Sequence, residues 1–292
     1  MMGDPAAIEN ADCWRKRLIA YASLEITVRD GSAASVLGEY LPRGSRIHVT
    51  YLAGVPYLET VAQAKALAAA GFEPIPHLAA RSLASRAELD DYLARLAGEA
   101  GATRVLLVAG DLERARGPYE ASLDVMHTDL LQAHGMRGVS LAAHPEGHPT
   151  IAREMMEQAL IDKLAYGEEH GLEIELVSQF CFEDAPILAY LAALRARGMA
   201  VSVRIGAAAP TDAVRLMKFA IKCGVGPSLR ALQRQAPRLG QLVGAAGPET
   251  LIADIAKGLA AADNGDITGM HFFVFGNVEK AARWLHHLRH AH

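Results

Sequence analysis

Short apolar runs alternate with longer stretches of helical periodicity along almost the whole chain. Leu18–Thr27 reads as a first strand, Ala33–Tyr40 as a short helix and Pro42-Arg43-Gly44 as a turn. Arg46–Tyr51 is the second strand, and Tyr57–Ala70 a helix stopped by Gly71, the residue expected just past a helix end. Pro74–Leu78 is a third strand, although its two prolines count against ladder pairing. Arg86–Ala100 (helix, closed by Gly101), Thr103–Ala109 (strand) and Tyr119–His134 (helix, closed by Gly135) follow. Val139–Ala143 is small and apolar, as a strand buried on both faces is, and Ile151–His170 is its helix. Glu173–Gln179, Ala200–Ile205 and Gly269–Phe275 supply the last strands. Their helices are Ala185–Arg197 before Gly198, Thr211–Lys222 before Gly224, and Val278–His290. The flexible stretch Gly206–Pro210 and two further helices, Ser228–Gln235 and Pro248–Ala262, lie within the longest interval between strands.

Eight strand–helix units without a hairpin signal predict a single-domain (β/α)8 TIM barrel over 18–292, with 1–17 as an N-terminal leader or cap. The runner-up is an open doubly wound sheet. Its GxGxxG signature is absent, and so is GxxxxGK[ST].

Composition narrows the class. With 292 residues, 51% hydrophobic and 21% charged, the chain is a globular protein able to bury one large core. A net charge of -4 argues against a nucleic-acid partner. No apolar run is long enough to span a membrane, and Cys13, Cys181 and Cys223 are scattered, which fits a reducing cytoplasmic setting. The acidic and alanine-rich helices leave room for a homo-oligomer.

Barrel enzymes place their chemistry at the carboxyl ends of the strands. The pattern puts Glu25, Thr50, His77, Asp111, His144 with Glu146 and His148, and Gln179 there. The densest stretch is Gly138–Pro149, where a buried strand breaks into His-Pro-Glu-Gly-His-Pro. Each group alone has a plainer reading. Glu25 could pair with an arginine, Asp111 could cap the segment Glu113–Tyr119, Gln179 could close a strand, and His77 could simply pack. Their repetition at successive strand ends is what singles them out.

Ser23-Leu24-Glu25, Val49-Thr50-Tyr51, Pro76-His77-Leu78, Gly110-Asp111, Ala142–Pro149, Ser178-Gln179-Phe180 and Gly269–Phe273 stand in the order and rough spacing of a known family. Over about Ala20–Trp284 the chain resembles methylenetetrahydrofolate reductases. The resemblance implies a barrel that binds FAD without a dinucleotide fingerprint. It also implies hydride transfer from NADH or NADPH through the flavin, interconverting 5,10-methylenetetrahydrofolate and 5-methyltetrahydrofolate in one-carbon metabolism. By the same resemblance Glu25 is the general acid that protonates N10, and Asp111 is the charge that stabilises the resulting iminium. Gln179 and Phe273 are folate contacts. Thr50, His77, Asp111, Tyr119, Ser122, His144, His148 and Lys163 contact the flavin.

The chain also departs from that pattern. Leu24-Glu25-Ile26-Thr27-Val28 replaces a Phe-Glu-Phe-Phe-Pro run, Ala109 replaces an arginine, His144 replaces a tyrosine, and Gly206–Pro210 lacks a stacking aromatic. A flavin-free reductase and a non-catalytic folate-binding barrel are therefore alternatives, ahead of a metal-dependent hydrolase using His77, Asp111, His144 and His148. His286, His287, His290 and His292 read as a solvated, frayed helix end in preference to a metal site. Trp14 and Trp284 read as packing residues.

Overall fold

A computed structural model describes residues 5–223, 225, 248–262 and 266–291. Eight parallel strands close in sequence order into a barrel. They are β1 (Ser23–Thr27), β2 (Arg46–Thr50), β3 (Glu73–Ala79), β4 (Arg104–Val108), β5 (Gly138–Ala143), β6 (Glu173–Ser178), β7 (Ser202–Ala208) and β8 (Ile267–Phe273). The helices are α1 (Pro5–Ala20), α2 (Ala33–Tyr40), α3 (Tyr57–Ala69), α4 (Arg86–Ala100), α5 (Ser122–Met126) and α6 (Leu130–Ala133). After them come α7 (Arg153–Glu169), α8 (Asp184–Ala196), α9 (Ala213–Lys222), α10 (Glu249–Ala260) and α11 (Val278–His290). This is the (β/α)8 barrel that the alternation predicts. Among the described residues no helix is long and apolar enough to cross a membrane.

Two compact units make up the fold. One comprises Glu25–Ala142 and Ile151–Leu176, the other Met1–Leu24, Ala143–Thr150 and Val177–His292. In the first unit the prolines of β3 turn out to be compatible with a strand. Along a strand successive N–H groups point to opposite neighbours, so residues 74 and 76 lack donors toward the same side. Glu73 N donates to Ser45 O, which places the odd-numbered donors toward β2. The missing donors therefore face β4. There the ladder starts only at His77, opposite Leu106, whereas pairing to β2 already runs from Arg46–Glu73 to Val49–Pro76.

Charges gather at the amino ends of the same strands. Arg46 Nε donates to Glu73 at 2.9 Å and its Nη1 to the buried Glu175 at 3.3 Å. Arg104 reaches Glu173 at 2.7 Å. Burial works against the Arg46 cation, yet the charges of Glu175 and Glu73 outweigh it and raise its pKa. Helix α4 is fixed at both ends. Ser85 Oγ accepts from Glu88 N, Glu88 accepts from Ala84 N, and Gly101 closes the helix in the left-handed region at φ +59°.

Three sequence expectations need correction. The helix predicted over Tyr119–His134 is two short ones, α5 and α6. Thr128 Oγ1 donates to Val125 O and Asp129 adopts φ +60°, where its carboxylate accepts from Tyr166 on α7. Tertiary anchoring thus overrides local periodicity. Leu18 to Ala20 belong to α1, and the strand starts at Ser23. The amphipathic end of α1 is tied down where Arg289 donates to the carbonyls of Ile19, Ala20 and Ala22. Gly206–Ala208 is not a loop. It extends β7 against His271–Phe273, and the backbone of Ser178 passes so close that a Cβ on Gly206 would lie 2.1 Å from its carbonyl oxygen. The last helix, α11, ends at His290 as the periodicity predicts. Trp284 packs edge-on against Phe272, and Trp14 lies under Arg17. The predicted helix Ser228–Gln235, the stop at Gly224 and His292 fall outside the described residues.

Candidate active site

In the first unit, period-two alternation on β2 puts Arg46, His48 and Thr50 on one face. On β3, Glu73, Ile75 and His77 share the corresponding face, because Arg46 pairs with Glu73 and His48 with Ile75. The result is an ionic layer at the strand starts and an imidazole layer further along. His48 is wholly buried, and its Nδ1 lies 3.3 Å from His77 Nε2, with the rings edge to face. The same His77 nitrogen is 3.6 Å from Glu25 Oε2, and the Glu25 side chain is only 14% exposed. Glu25 stands at the middle of β1, not at the strand end where the sequence pattern puts it. Glu25 and His77 are thus brought together, with His48 behind them. Tyr92 OH donates to the His77 carbonyl from α4.

Thr50, at the end of β2, has a buried Oγ1 without a hydrogen-bond partner among the described residues. Asp111 stands exposed three residues past β4, and no helix begins in Glu113–Tyr119 for it to cap. That segment is held from below. Arg81 donates to the carbonyls of Glu120 and Leu112, and Arg116 donates to Ser82 O. Tyr119 and Ser122 are buried, and burial raises the Tyr119 phenol. On α7, burial lowers the Lys163 ammonium, opposed by the charge of Asp162.

In the second unit, the loop after β5 carries His144 and His148 with ring centroids 5.1 Å apart. His148 Nδ1 accepts from both the backbone N–H and the hydroxyl of Thr150, and burial pushes its imidazole pKa down. His144, Glu146, Gln179, Phe180, Cys181 and Cys223 line a pocket of about 200 Å³. That volume includes space open to solvent. Burial, reinforced by the charge of Glu146, pushes the Cys181 thiol up to about 12. The Gln179 side-chain oxygen accepts from Phe180 N. Phe273 sits among Phe180, His271 and Phe275, at centroid distances of 5.5, 4.7 and 6.1 Å. His271 Nδ1 lies 2.9 Å from Ser23 Oγ in a fully buried pair.

Two groups were not singled out in the sequence. His48 was readable, since it precedes Thr50 by one strand period. The Ser23–His271 pair had no local signal, because the residues are 248 apart in sequence. Among the described residues no group of three or more His, Cys, Asp or Glu side chains could hold a metal ion.

Together these features define a (β/α)8 barrel with ionisable groups at the carboxyl ends of several strands. No protein-family model matches the chain. Its fold is similar to that of an uncharacterized protein from Clostridium thermocellum that binds two copies of 5-methyl-5,6,7,8-tetrahydrofolic acid. The likeness has 11% identity and a TM-score of 0.58, over 96% of this chain and 98% of that one. The Xanthomonas albilineans dihydropteroate synthase with 4-aminobenzoic acid matches at 15% identity and a TM-score of 0.47, over 90% and 89%. The Yersinia pestis DHPS with a pterine-sulfa conjugate matches at 15% and 0.46, over 95% and 96%. The first likeness establishes the barrel, and the other two are too distant to carry an argument.

Proposed function

We propose that this barrel binds a reduced folate and interconverts 5,10-methylenetetrahydrofolate and 5-methyltetrahydrofolate, with FAD as hydride carrier and NADH or NADPH as co-substrate. The observation that carries the reading is Glu25. Its carboxyl, at the middle of β1, is largely shielded from water beside the His77 imidazole. A positioned, partly desolvated carboxyl is suited to general acid catalysis. The residue order shared with methylenetetrahydrofolate reductases supports the same role. The ligand of the Clostridium thermocellum protein makes 5-methyltetrahydrofolate the first compound to try.

Two side chains fit a bound flavin. The buried Thr50 hydroxyl lacks a partner among the described residues, a state that costs about 1–3 kcal/mol unless something meets it. The desolvated Lys163 ammonium suits a diphosphate, which would stabilise its charge. Thr50, Lys163, Tyr119 and Ser122 would hold the cofactor, which supplies the hydride chemistry when bound. Glu25 gives its proton to folate N10, the C–N10 bond breaks, and an N5 iminium remains to accept hydride. The exposed Asp111 carboxylate offers the negative charge that favours that cation. In the other unit, Gln179 offers an amide donor and Phe273 a ring, and both are read as folate contacts by the resemblance alone. So are His144 and His148 as flavin contacts.

A second reading, a flavin-free reductase, is favoured by Ala109, which puts a methyl group where the family has a cation. The absorbance spectrum of the full chain, with and without added FAD, separates the two when combined with equilibrium binding of 5-methyltetrahydrofolate. A flavin spectrum with folate binding supports the first. Folate binding without flavin selects the second, and no binding of either overturns both.

A further inference from the structure

The strongest unassigned feature is the nitrogen that three groups share. His77 Nε2 is 3.3 Å from His48 Nδ1 and 3.6 Å from Glu25 Oε2. A neutral imidazole nitrogen carries either one proton or one lone pair. If Nε2 carried the lone pair, the carboxylate that Glu25 becomes on giving up its proton would face it lone pair to lone pair. If it carries the proton, it donates to His48 and points its positive end at Glu25. The second arrangement is compatible with both neighbours.

We propose that His77 is a positioning residue for Glu25, its Nε2–H shared between His48 and a Glu25 carboxyl oxygen, which accepts before and after Glu25 gives up its proton, with His48 fixing the tautomer. The packing favours this. His48 cannot swing away, being wholly buried, and its strand partner Ile75 precedes His77 by one period. The Tyr92 hydroxyl on the His77 carbonyl anchors the backbone at the same residue. The 3.6 Å separation from Glu25 is beyond a formed hydrogen bond, as expected where catalytic contacts tighten only with substrate bound. His77 then acts through Glu25, and His48 through His77.

The role in turnover rests on the folate reading above, but the coupling itself does not. Imidazole ¹⁵N spectra of the full chain, with the His77 signals assigned by their loss in His77→Gln, should show a protonated Nε2. Those signals should shift in Glu25→Gln and switch toward the other tautomer in His48→Leu. His48→Gln, which keeps an acceptor, should restore them. In turnover, His48→Leu should lower kcat of the folate step by about 10²-fold, the scale of a small misplacement of a reacting group, with KM and FAD retention unchanged. His48→Gln should recover most of that loss. His77 signals indifferent to both Glu25→Gln and His48→Leu would overturn the proposal whether or not the protein turns over folate. Loss of FAD retention in place of kcat would also overturn it, making His77 a cofactor contact. Intact coupling in a protein that does not bind folate would retire the functional reading alone.

Discussion

Arg46 sits between two carboxylates, and burial, not distance, should decide which of them matters. Glu73 is the nearer, at 2.9 Å against 3.3 Å for Glu175. The Glu73 side chain is 37% exposed, however, and that of Glu175 only 5%. Water screens the first pair, so Glu73→Ala should cost about 0.2–1 kcal/mol. Glu175→Ala leaves the half-buried Arg46 with one solvated hydrogen-bonding partner. Breaking a buried pair costs about 3–5 kcal/mol, and the surviving Glu73 contact puts this case near 3. For 292 residues an unfolding entropy of about 2.1 cal/mol/K per residue gives roughly 0.6 kcal/mol/K. The two variants should therefore melt about 5 °C and less than about 2 °C below the parent. Replacing the pair together, Arg46→Met with Glu175→Leu, should recover most of the larger loss, because a packed apolar pair need not be desolvated as ions. Urea titration with a refolding check reads the same quantities at fixed temperature. A Glu73→Ala variant as destabilised as Glu175→Ala would refute the reasoning, and so would a double variant worse than Glu175→Ala.

Two further outcomes follow from titratable groups in the other unit. The Cys181 thiol, pushed up to about 12, should resist thiol reagents at pH 8 in the folded protein while exposed Cys13 reacts; equal labelling of both by mass spectrometry would contradict the burial assigned to Cys181. Burial holds the His148 imidazole below 6.5, so the folded state binds its proton less readily than the unfolded chain. Its contribution is full above about pH 6.5 and is lost as pH falls through the lower folded value. His148→Asn should therefore flatten the acid-side decline in urea midpoints, and an unchanged slope would count against it.

Where a residue's role depended on period and punctuation, it was legible in the sequence. Apolar runs followed by helices closed at Gly71, Gly101, Gly135, Gly171 and Gly198 define the barrel before any coordinates. The limits of α2, α4 and α11 match the periodicity to the residue. What was not legible depended on distant partners. The break between α5 and α6 needs Tyr166 from α7 to hold Asp129. The pairing of Gly206–Ala208 needs β8 alongside, and β3 survives its prolines only because both face β4. At the candidate site, the pattern located Glu25, Thr50 and His77 on their strands, Thr50 alone at a strand end, but no local pattern says that His77 Nε2 meets both Glu25 and His48. The link between Arg46 and Glu175 was equally hidden, at 129 residues apart.

The central claim is that Glu25 supplies the proton that opens the folate ring, and a single variant separates that step from flavin chemistry. Glu25→Gln keeps the size and hydrogen-bonding shape of the side chain but cannot donate a proton of suitable acidity. Stopped-flow flavin absorbance of the full chain should then show reduction by NADH or NADPH at close to the parent rate. Reoxidation by 5,10-methylenetetrahydrofolate should be slower by about 10²–10⁴-fold, the range for a lost general acid. Reoxidation at the parent rate in Glu25→Gln would contradict the account.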